Sequence, residues 1–219
     1  MDVTRLWPDG PLYRQEEGLF PLSSDTAWLG AFTSLGRVRR VCDLGCGGGA
    51  LSLQLLGRRP ELEVLAVDIL PQAAVRTAEN AALNGWKLET LCADLREYRA
   101  LLPREEYDLV VSNPPYYAAS GGVAEGSRGL ARQESCPPEE LCRAAAWLLR
   151  YGGRFSLIYP PERLSELFCA LTAAGLEPKR LQLVMKNTDT PPCAALVEAR
   201  KGGGKGLSIE PPLLTEERK

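Results

Sequence analysis

Residues 41–50 read Val-Cys-Asp-Leu-Gly-Cys-Gly-Gly-Gly-Ala. An apolar segment leads to one acid, Asp43, and a glycine cluster then opens a helical pattern. Loops of this kind bind nucleotides, because small residues let the backbone approach a ligand closely. The spacing from Asp43 through Gly45 to Gly47 is not the usual dinucleotide pattern, and an acid ahead of the glycines suits an ammonium or sulfonium group better than a pyrophosphate. The stretch therefore indicates S-adenosylmethionine as the ligand.

Apolar segments alternate with helical patterns from residue 38 onwards. Alternation of this kind is typical of a parallel sheet with helices on both faces, and ligands gather at the carboxyl ends of its strands. The predicted strands span residues 38–43, 62–68, 88–92, 107–112, 154–159, 177–186 and 193–200, the last two as a hairpin. The predicted helices span residues 49–57, 71–84, 95–102, 138–150 and 161–173, and Gly152-Gly153 is expected to cap the fourth.

Acids end three of these strands. Asp68 lies where a carboxylate accepts both ribose hydroxyls of a nucleotide, and Asp94 suits the amino group of an adenine. Asp25, ahead of a helix predicted over residues 27–35, should lie close to the glycine loop. Taken singly, each acid is explained at least as well as a helix cap. Three acids at one edge of the sheet, beside a glycine loop, favour a cofactor site.

Asn113-Pro114-Pro115-Tyr116 follows the apolar run 107–112. The lone pair of an adenine amino group is delocalised into the ring. A catalyst therefore needs hydrogen-bond acceptors for both N–H groups, which draw the lone pair back onto the nitrogen. The Asn113 side-chain oxygen and the Pro114 carbonyl can supply them, the prolines lack competing N–H groups, and Tyr116 can stack on the base. For the bare tetrapeptide, a simple strand stop is an equally good interpretation.

Composition narrows the class of protein. A chain of 219 residues with 45% hydrophobic content suits one compact domain. No apolar run approaches the ~20 residues that cross a bilayer, and the N-terminus lacks a basic segment followed by an apolar one. We therefore expect a soluble, cytoplasmic protein, with a monomer as the default. Seven cysteines without a C-x-x-C pair, and no histidine, predict neither a disulfide framework nor a metal site.

The formal net charge of −2 argues against a broad nucleic-acid-binding surface. Any RNA contact must then be local. Arg128 and Arg132 are favoured for this contact, because they lie in the long polar loop that follows the Asn113-Pro114-Pro115-Tyr116 tetrapeptide. Surface solubility is the simpler explanation of the other basic clusters, which are Arg37, Arg39 and Arg40, then Lys179, Arg180 and Lys186, then Lys201 and Lys205.

Together these motifs resemble the class I S-adenosylmethionine-dependent methyltransferases, and within them the bacterial tRNA adenine-N6 methyltransferases that modify the adenosine beside the anticodon of a valine tRNA. The resemblance spans nearly the whole chain. It includes Gln15, Ser23, Asp25, residues 43–49, Asp68, residues 80–85, Asn113-Pro114-Pro115-Tyr116, and residues 131–134, 149–155, 175–180 and 211–213. The chain departs from the family pattern at Gln133, Pro21 and Leu22, where a histidine, a basic residue and an aromatic residue are usual.

The resemblance implies a Rossmann-like α/β fold with a mostly parallel seven-stranded sheet, one antiparallel strand and helices on both faces. It divides the chain into an N-terminal hairpin and helix over 1–36 that pack on the core, a methyltransferase domain over 37–200 and an irregular tail over 201–219. The implied cofactor is S-adenosyl-L-methionine, with S-adenosylhomocysteine as product, and the implied partner is tRNA. Implied cofactor residues are Asp25, Asp43, Gly45, Cys46, Gly47, Asp68, Ile69, Asp94, Leu95 and Asn113. Implied catalytic residues are Asn113, Pro114 and Tyr116, and implied substrate residues are Pro115, Tyr116, Arg128 and Arg132.

Two other functions stay open. Protein glutamine-N5 methyltransferases use the same tetrapeptide on a side-chain amide, but they carry a sizeable helical domain for which the residues before position 38 leave little room. A non-catalytic RNA-binding protein with this fold would have lost the acids or the tetrapeptide, and neither is lost. DNA adenine methyltransferases need a target-recognition domain, whereas an exposed anticodon-loop base needs little extrusion. We therefore predict an enzyme that methylates the exocyclic N6 of an adenine in tRNA.

Overall fold

The computed structural model describes residues 3–15, 17–114 and 136–216. The chain begins with an antiparallel hairpin of β1 (Val3–Arg5) and β2 (Leu12–Arg14), which confirms the predicted hairpin. Trp7 packs over Gly10 in its turn, where a Cβ atom would lie 2.5 Å from the indole ring. Helix α1 (Ser24–Phe32) follows.

Strands and helices then alternate as the sequence predicts. The elements are β3 (Arg40–Leu44), α2 (Ala50–Arg58), β4 (Glu63–Asp68), α3 (Pro71–Ala82), β5 (Glu89–Cys92), α4 (Tyr98–Leu101), β6 (Tyr107–Ser112), α5 (Pro138–Leu148), β7 (Leu149–Tyr159), α6 (Leu164–Ala173), β8 (Leu176–Met185), β9 (Ala194–Lys201), β10 (Ser208–Ile209) and β11 (Leu213–Leu214). Short 3-10 turns at Leu95–Glu97 and Pro161–Arg163 precede α4 and α6. None of the helices in the described ranges combines the length and the apolar character that crossing a bilayer requires.

The main sheet has the strand order β8-β9-β7-β6-β3-β4-β5, with β10 and β11 paired to the outer side of β8. Strand β9 runs antiparallel to β7 and β8, and the other pairs are parallel. The predicted mostly parallel sheet with one antiparallel strand is confirmed. Two strands were missed, and the tail over 201–219 is not irregular throughout, because β10 and β11 lie in it. Each has only two residues, too few for a period-two pattern. The division at residues 36 and 200 stays a prediction.

Helices cover both faces of the sheet. Leu109 and Val111 of β6 pack on the side of α1 and α2, whereas Val110 between them packs on the side of α5 and α6. Successive strand side chains point to opposite faces, so an apolar run is buried on both. Leu29 and Phe32 of α1 belong to the first of these clusters, and the N-terminal helix therefore packs on the sheet.

The prediction that Gly152-Gly153 caps a helix is wrong. Helix α5 ends at Leu148, and β7 begins at Leu149, which is fully buried opposite Tyr107. The pairing then shifts, so that the next pair joins Leu109 to Arg154 and the residues between bulge from the sheet. Gly152 has φ of 79° in this bulge, a left-handed conformation that glycine adopts as readily here as at a helix end.

Candidate active site

The carboxyl ends of the central strands surround a cavity of about 330 Å³. This volume is in the range of small-molecule and cofactor sites. The structure brings all the implied cofactor residues to its wall: Asp25, Asp43, Gly45, Cys46, Gly47, Asp68, Ile69, Asp94, Leu95 and Asn113. Pro114 lines it as well. Pro115, Tyr116, Arg128, Arg132 and Gln133 lie outside the described residues, so their roles stay predictions.

Asp68 joins the glycine loop to the start of α3. One carboxylate oxygen accepts the Gly47 N–H at 2.8 Å, and the other accepts the Leu70 N–H at 2.9 Å. Gly47 has φ of 54°, which a residue with a Cβ atom rarely adopts, so the loop can turn its N–H towards the acid. Burial raises the pKa of Asp68, and the backbone hydrogen bonds oppose that shift.

Asp43 is buried at the end of β3, with 1% of its surface exposed. Its Oδ2 accepts the Ser52 hydroxyl at 2.6 Å and the Ser52 N–H at 3.2 Å, in the first turn of α2. Burial raises the pKa of Asp43 to about 6, although the Ser52 hydrogen bonds lower it, and the negative charge of Asp68 adds to the rise. A positively charged ligand in the cavity would relieve the cost of this buried charge.

Asp94 caps the 3-10 turn at Leu95–Glu97 through the Arg96 N–H, so it is the helix cap that the sequence left as an alternative. The Arg96 guanidinium also donates from Nε to both carboxylate oxygens, at 2.9 and 2.8 Å, and this contact lowers the pKa of Asp94. Arg96 lines the same cavity. An adenine bound by Asp94 would therefore share that carboxylate with Arg96.

Asn113 lies at the end of β6, and its Nδ2 donates to Thr26 Oγ1 at 3.1 Å. Thr26 is buried in the first turn of α1. Ser112 donates from Oγ to the Leu44 carbonyl at 2.7 Å, which holds the end of β6 beside the end of β3 and the glycine loop. Neighbouring Asp25 also faces the cavity, and burial raises its pKa. The start of the tetrapeptide and the glycine loop thus line one site.

Sequence reasoning missed most of the wall that the N-terminal extension contributes. Tyr13, Ser23, Thr26 and residues 19–22 line the cavity. Gln15 holds this segment in place, because its Nε2 donates to the Phe20 carbonyl at 3.2 Å and its Oε1 accepts the Leu22 N–H at 3.0 Å. Gln15 and Ser23 entered the sequence analysis only through the family resemblance. Pro21 and Leu22, two of the departures from the family pattern, belong to this wall.

Each basic cluster outside the long loop contains residues that form ion pairs. Arg40 pairs with Glu106 at 2.6 Å, Lys186 with Glu216 at 3.1 Å, and Lys201 with Glu105 at 2.9 Å. Arg180 pairs with Glu210 at 2.7 Å. Their positive charges are offset locally, which agrees with a surface role. In the described part of the chain, no cluster of three or more His, Cys, Asp or Glu side chains is arranged to hold a metal ion.

Comparison with known proteins shows the family to which the chain belongs. A family model described as the methyltransferase small domain matches residues 27–163. The tRNA1(Val) (adenine(37)-N6)-methyltransferase of Bacteroides fragilis is 31% identical over 179 residues, covering 80% of this chain and 75% of that protein.

Solved structures share the fold. A predicted O-methyltransferase from Agrobacterium tumefaciens matches with a TM-score of 0.70 and 26% identity, over 87% of this chain and 86% of that one. A 16S rRNA methyltransferase of T. thermophilus, in complex with AdoMet and guanosine, matches with a TM-score of 0.61 and 23% identity, over 91% of this chain and 50% of that one. The predicted class I fold is confirmed. This chain belongs to the methyltransferase small-domain family, and tRNA1(Val) adenine-N6 methyltransferases are among its relatives.

Proposed function

We propose that this protein transfers the methyl group of S-adenosyl-L-methionine to the exocyclic N6 of an adenine in tRNA, with the anticodon-loop adenosine of a valine tRNA as target. The observation that carries the proposal is the position of Asn113. Its amide lies in the wall of the cavity that the glycine loop and the buried acids also line. The relative from Bacteroides fragilis bears the name of this reaction.

The residues of the cavity fit this cofactor. Burial raises the pKa of Asp25, Asp43 and Asp68, which surround the cavity, and a cationic ligand offsets the cost of their charges. When bound, S-adenosylmethionine supplies an electrophilic methyl group on a positively charged sulfur. Asp68 would hold the ribose hydroxyls, Asp94 the adenine, and Asp43 the positively charged part.

Asn113 and Pro114 would prepare the amine. The Asn113 Oδ1 and the Pro114 carbonyl accept the two N–H bonds of the adenine amino group, which draws its lone pair out of the ring and onto the nitrogen. The amine becomes strongly acidic as it is alkylated, and it can then lose its proton to water. A histidine base is not needed, and the chain has no histidine. Tyr116 would stack on the base and hold it against this pair of acceptors.

Binding of tRNA would depend on a local basic surface, because the chain has a formal net charge of −2. Arg128 and Arg132 follow the tetrapeptide in the sequence, and a guanidinium binds phosphate through its planar pair of donors. A loop adenosine is already unpaired, so a small domain can take the base into its site without opening a duplex.

The test is to incubate the protein with radiolabelled S-adenosylmethionine and total tRNA from cells that lack this activity, and then to digest the RNA to nucleosides. We expect label in N6-methyladenosine and in the valine tRNA fraction. A parallel reaction with total protein controls for the glutamine reaction. Label in protein glutamine, or on a base other than adenine, would overturn the proposal.

A further inference from the structure

Asn80 of α3 and Asn84, in the turn after this helix, bind the backbone of β2 as a neighbouring strand would. Asn80 accepts the Arg14 N–H at 2.9 Å and donates to the Arg14 carbonyl at 3.1 Å. Asn84 accepts the Leu12 N–H at 2.7 Å and donates to the Leu12 carbonyl at 2.8 Å. The two amides together anchor the N-terminal hairpin on α3.

Only Asn80 extends this contact to the glycine loop. Its Nδ2 also donates to the Gly48 carbonyl at 2.9 Å, and the side chain is fully buried. One turn earlier, Thr77 Oγ1 donates to the Gly47 carbonyl at 3.0 Å. Helix α3 therefore holds two successive carbonyls of the loop.

Tyr13 completes this arrangement. It lies between the two anchored residues of β2, is buried, and lines the cavity. Its hydroxyl lies 2.4 Å from the position that a Cβ atom on Gly48 would occupy, so any side chain on this residue would force Tyr13 to move. Asn80 thus joins β2, α3 and the glycine loop at one buried point.

We infer that Asn80 is a positioning residue for cofactor binding, whereas Asn84 anchors only the hairpin. The C=O and N–H of a peptide point in opposite directions, so holding the Gly47 and Gly48 carbonyls against α3 fixes the orientation of the loop peptides beside the cavity. Glycines have wide backbone freedom. Without the Asn80 contact the loop would sample other conformations, and binding would have to order it at a cost in affinity. The inference relies on the proposed function for the identity of the cofactor.

The test compares Asn80→Ala and Asn80→Asp with the matched variants Asn84→Ala and Asn84→Asp. Either alanine variant loses both hydrogen bonds to β2, and either aspartate variant loses the amide donor, but only changes at Asn80 remove the bond to Gly48. The dissociation constant of S-adenosylhomocysteine is measured by calorimetry, well below the unfolding temperature of each variant. Unfolding temperatures are recorded alongside.

The Asn80 variants should weaken binding by about tenfold, equivalent to one lost hydrogen bond, and the Asn84 variants by less than about twofold. Both positions should lower the unfolding temperature, because both anchor the hairpin. Equal affinities for wild type and the Asn80 variants, or equal losses at the two positions, would overturn the inference. So would a failure of both Asn80 variants to fold when the Asn84 variants fold. Absence of binding by the wild-type protein would instead overturn the proposed function.

Discussion

Thr26 accepts a hydrogen bond from Asn113 Nδ2 at 3.1 Å, across 87 positions of sequence. The two ends of an amide have nearly the same shape but opposite hydrogen-bonding character. In the structure the nitrogen of Asn113 lies at Thr26, so the oxygen lies at the other side of the amide. The adenine amino group must donate both of its hydrogens, so the oxygen of Asn113 has to face it. In the flipped orientation the amide would present its NH2 group, which is also a donor. We predict that this contact holds Asn113 in the orientation on which the proposed chemistry depends.

Replacing Thr26 by valine should lower kcat about tenfold while KM for tRNA changes little. Valine has nearly the shape of threonine but lacks the hydroxyl, so the amide of Asn113 loses the acceptor that orients it. The measurement is steady-state methylation of tRNA by the purified variant.

Thr26→Ser is the matched control, because serine keeps the hydroxyl and should keep most of the wild-type kcat. Cofactor affinity should be the same in both variants. Full activity of Thr26→Val, or equal losses in the two variants, would show that the hydroxyl does not orient Asn113.

Asp43→Asn should stabilise the cofactor-free protein near neutral pH. Burial raises the pKa of Asp43 from 3.8 to about 6 in the folded state, so the folded protein binds this proton more tightly than the unfolded chain. Raising the pH between these values lowers the free energy of unfolding of the wild type, and the asparagine variant escapes this loss. Its advantage should be smallest below pH 3.8 and reach about 3 kcal/mol at most above pH 6.

Urea unfolding at several pH values between about 4 and 8 would measure this advantage. The same variant should bind S-adenosylmethionine more weakly, since the cavity loses a negative charge that a cationic ligand offsets. An advantage that does not change with pH would mean that Asp43 does not titrate in this range.

Local patterns predicted most of the fold. Side chains of a strand alternate between the two faces of the sheet, and apolar residues of a helix recur about once every turn. These two periods make the succession of strands and helices from β3 to β6 visible in the sequence. The acids and glycines of the cavity were predictable as well. They follow strands of the predicted parallel sheet, and the carboxyl ends of such strands meet at one edge. Gly152 shows the limit of such signals. A left-handed glycine suits both a helix end and a bulge, and only the buried pairing of Leu149 with Tyr107 decides between them.

Contacts between distant segments could not be predicted. The bond between Thr26 and Asn113 joins the N-terminal helix to the fourth core strand, and no periodicity relates them. The position of Tyr13 and residues 19–22 in the wall of the cavity also results from contacts between distant segments. Their place there depends on how the hairpin packs against α3 and the glycine loop, and packing of this kind leaves no local pattern.

Arg132→Ala should weaken tRNA binding and reduce its salt dependence. Each phosphate contact releases counterions, so losing one lowers the slope of log affinity against log salt by about 0.7 to 0.9. Binding is measured between about 50 and 200 mM salt. Arg39→Ala is the control, since that side chain is 81% exposed at the amino end of the sheet, away from the cavity. Unchanged affinity and slope for Arg132→Ala would exclude this loop as the docking surface.

In the proposed reaction Asn113 activates an adenine amine beside the bound cofactor. The most direct measurement is the label recovered in N6-methyladenosine after single-turnover reactions of the wild type and of Asn113→Ala with tRNA and radiolabelled S-adenosylmethionine, with S-adenosylhomocysteine affinity measured in parallel. Removing an interaction made mainly in the transition state lowers the rate and leaves ground-state binding intact. We expect label with the wild type, none above background with the variant, and equal affinities. Similar labelling by both proteins would show that Asn113 does not activate the amine.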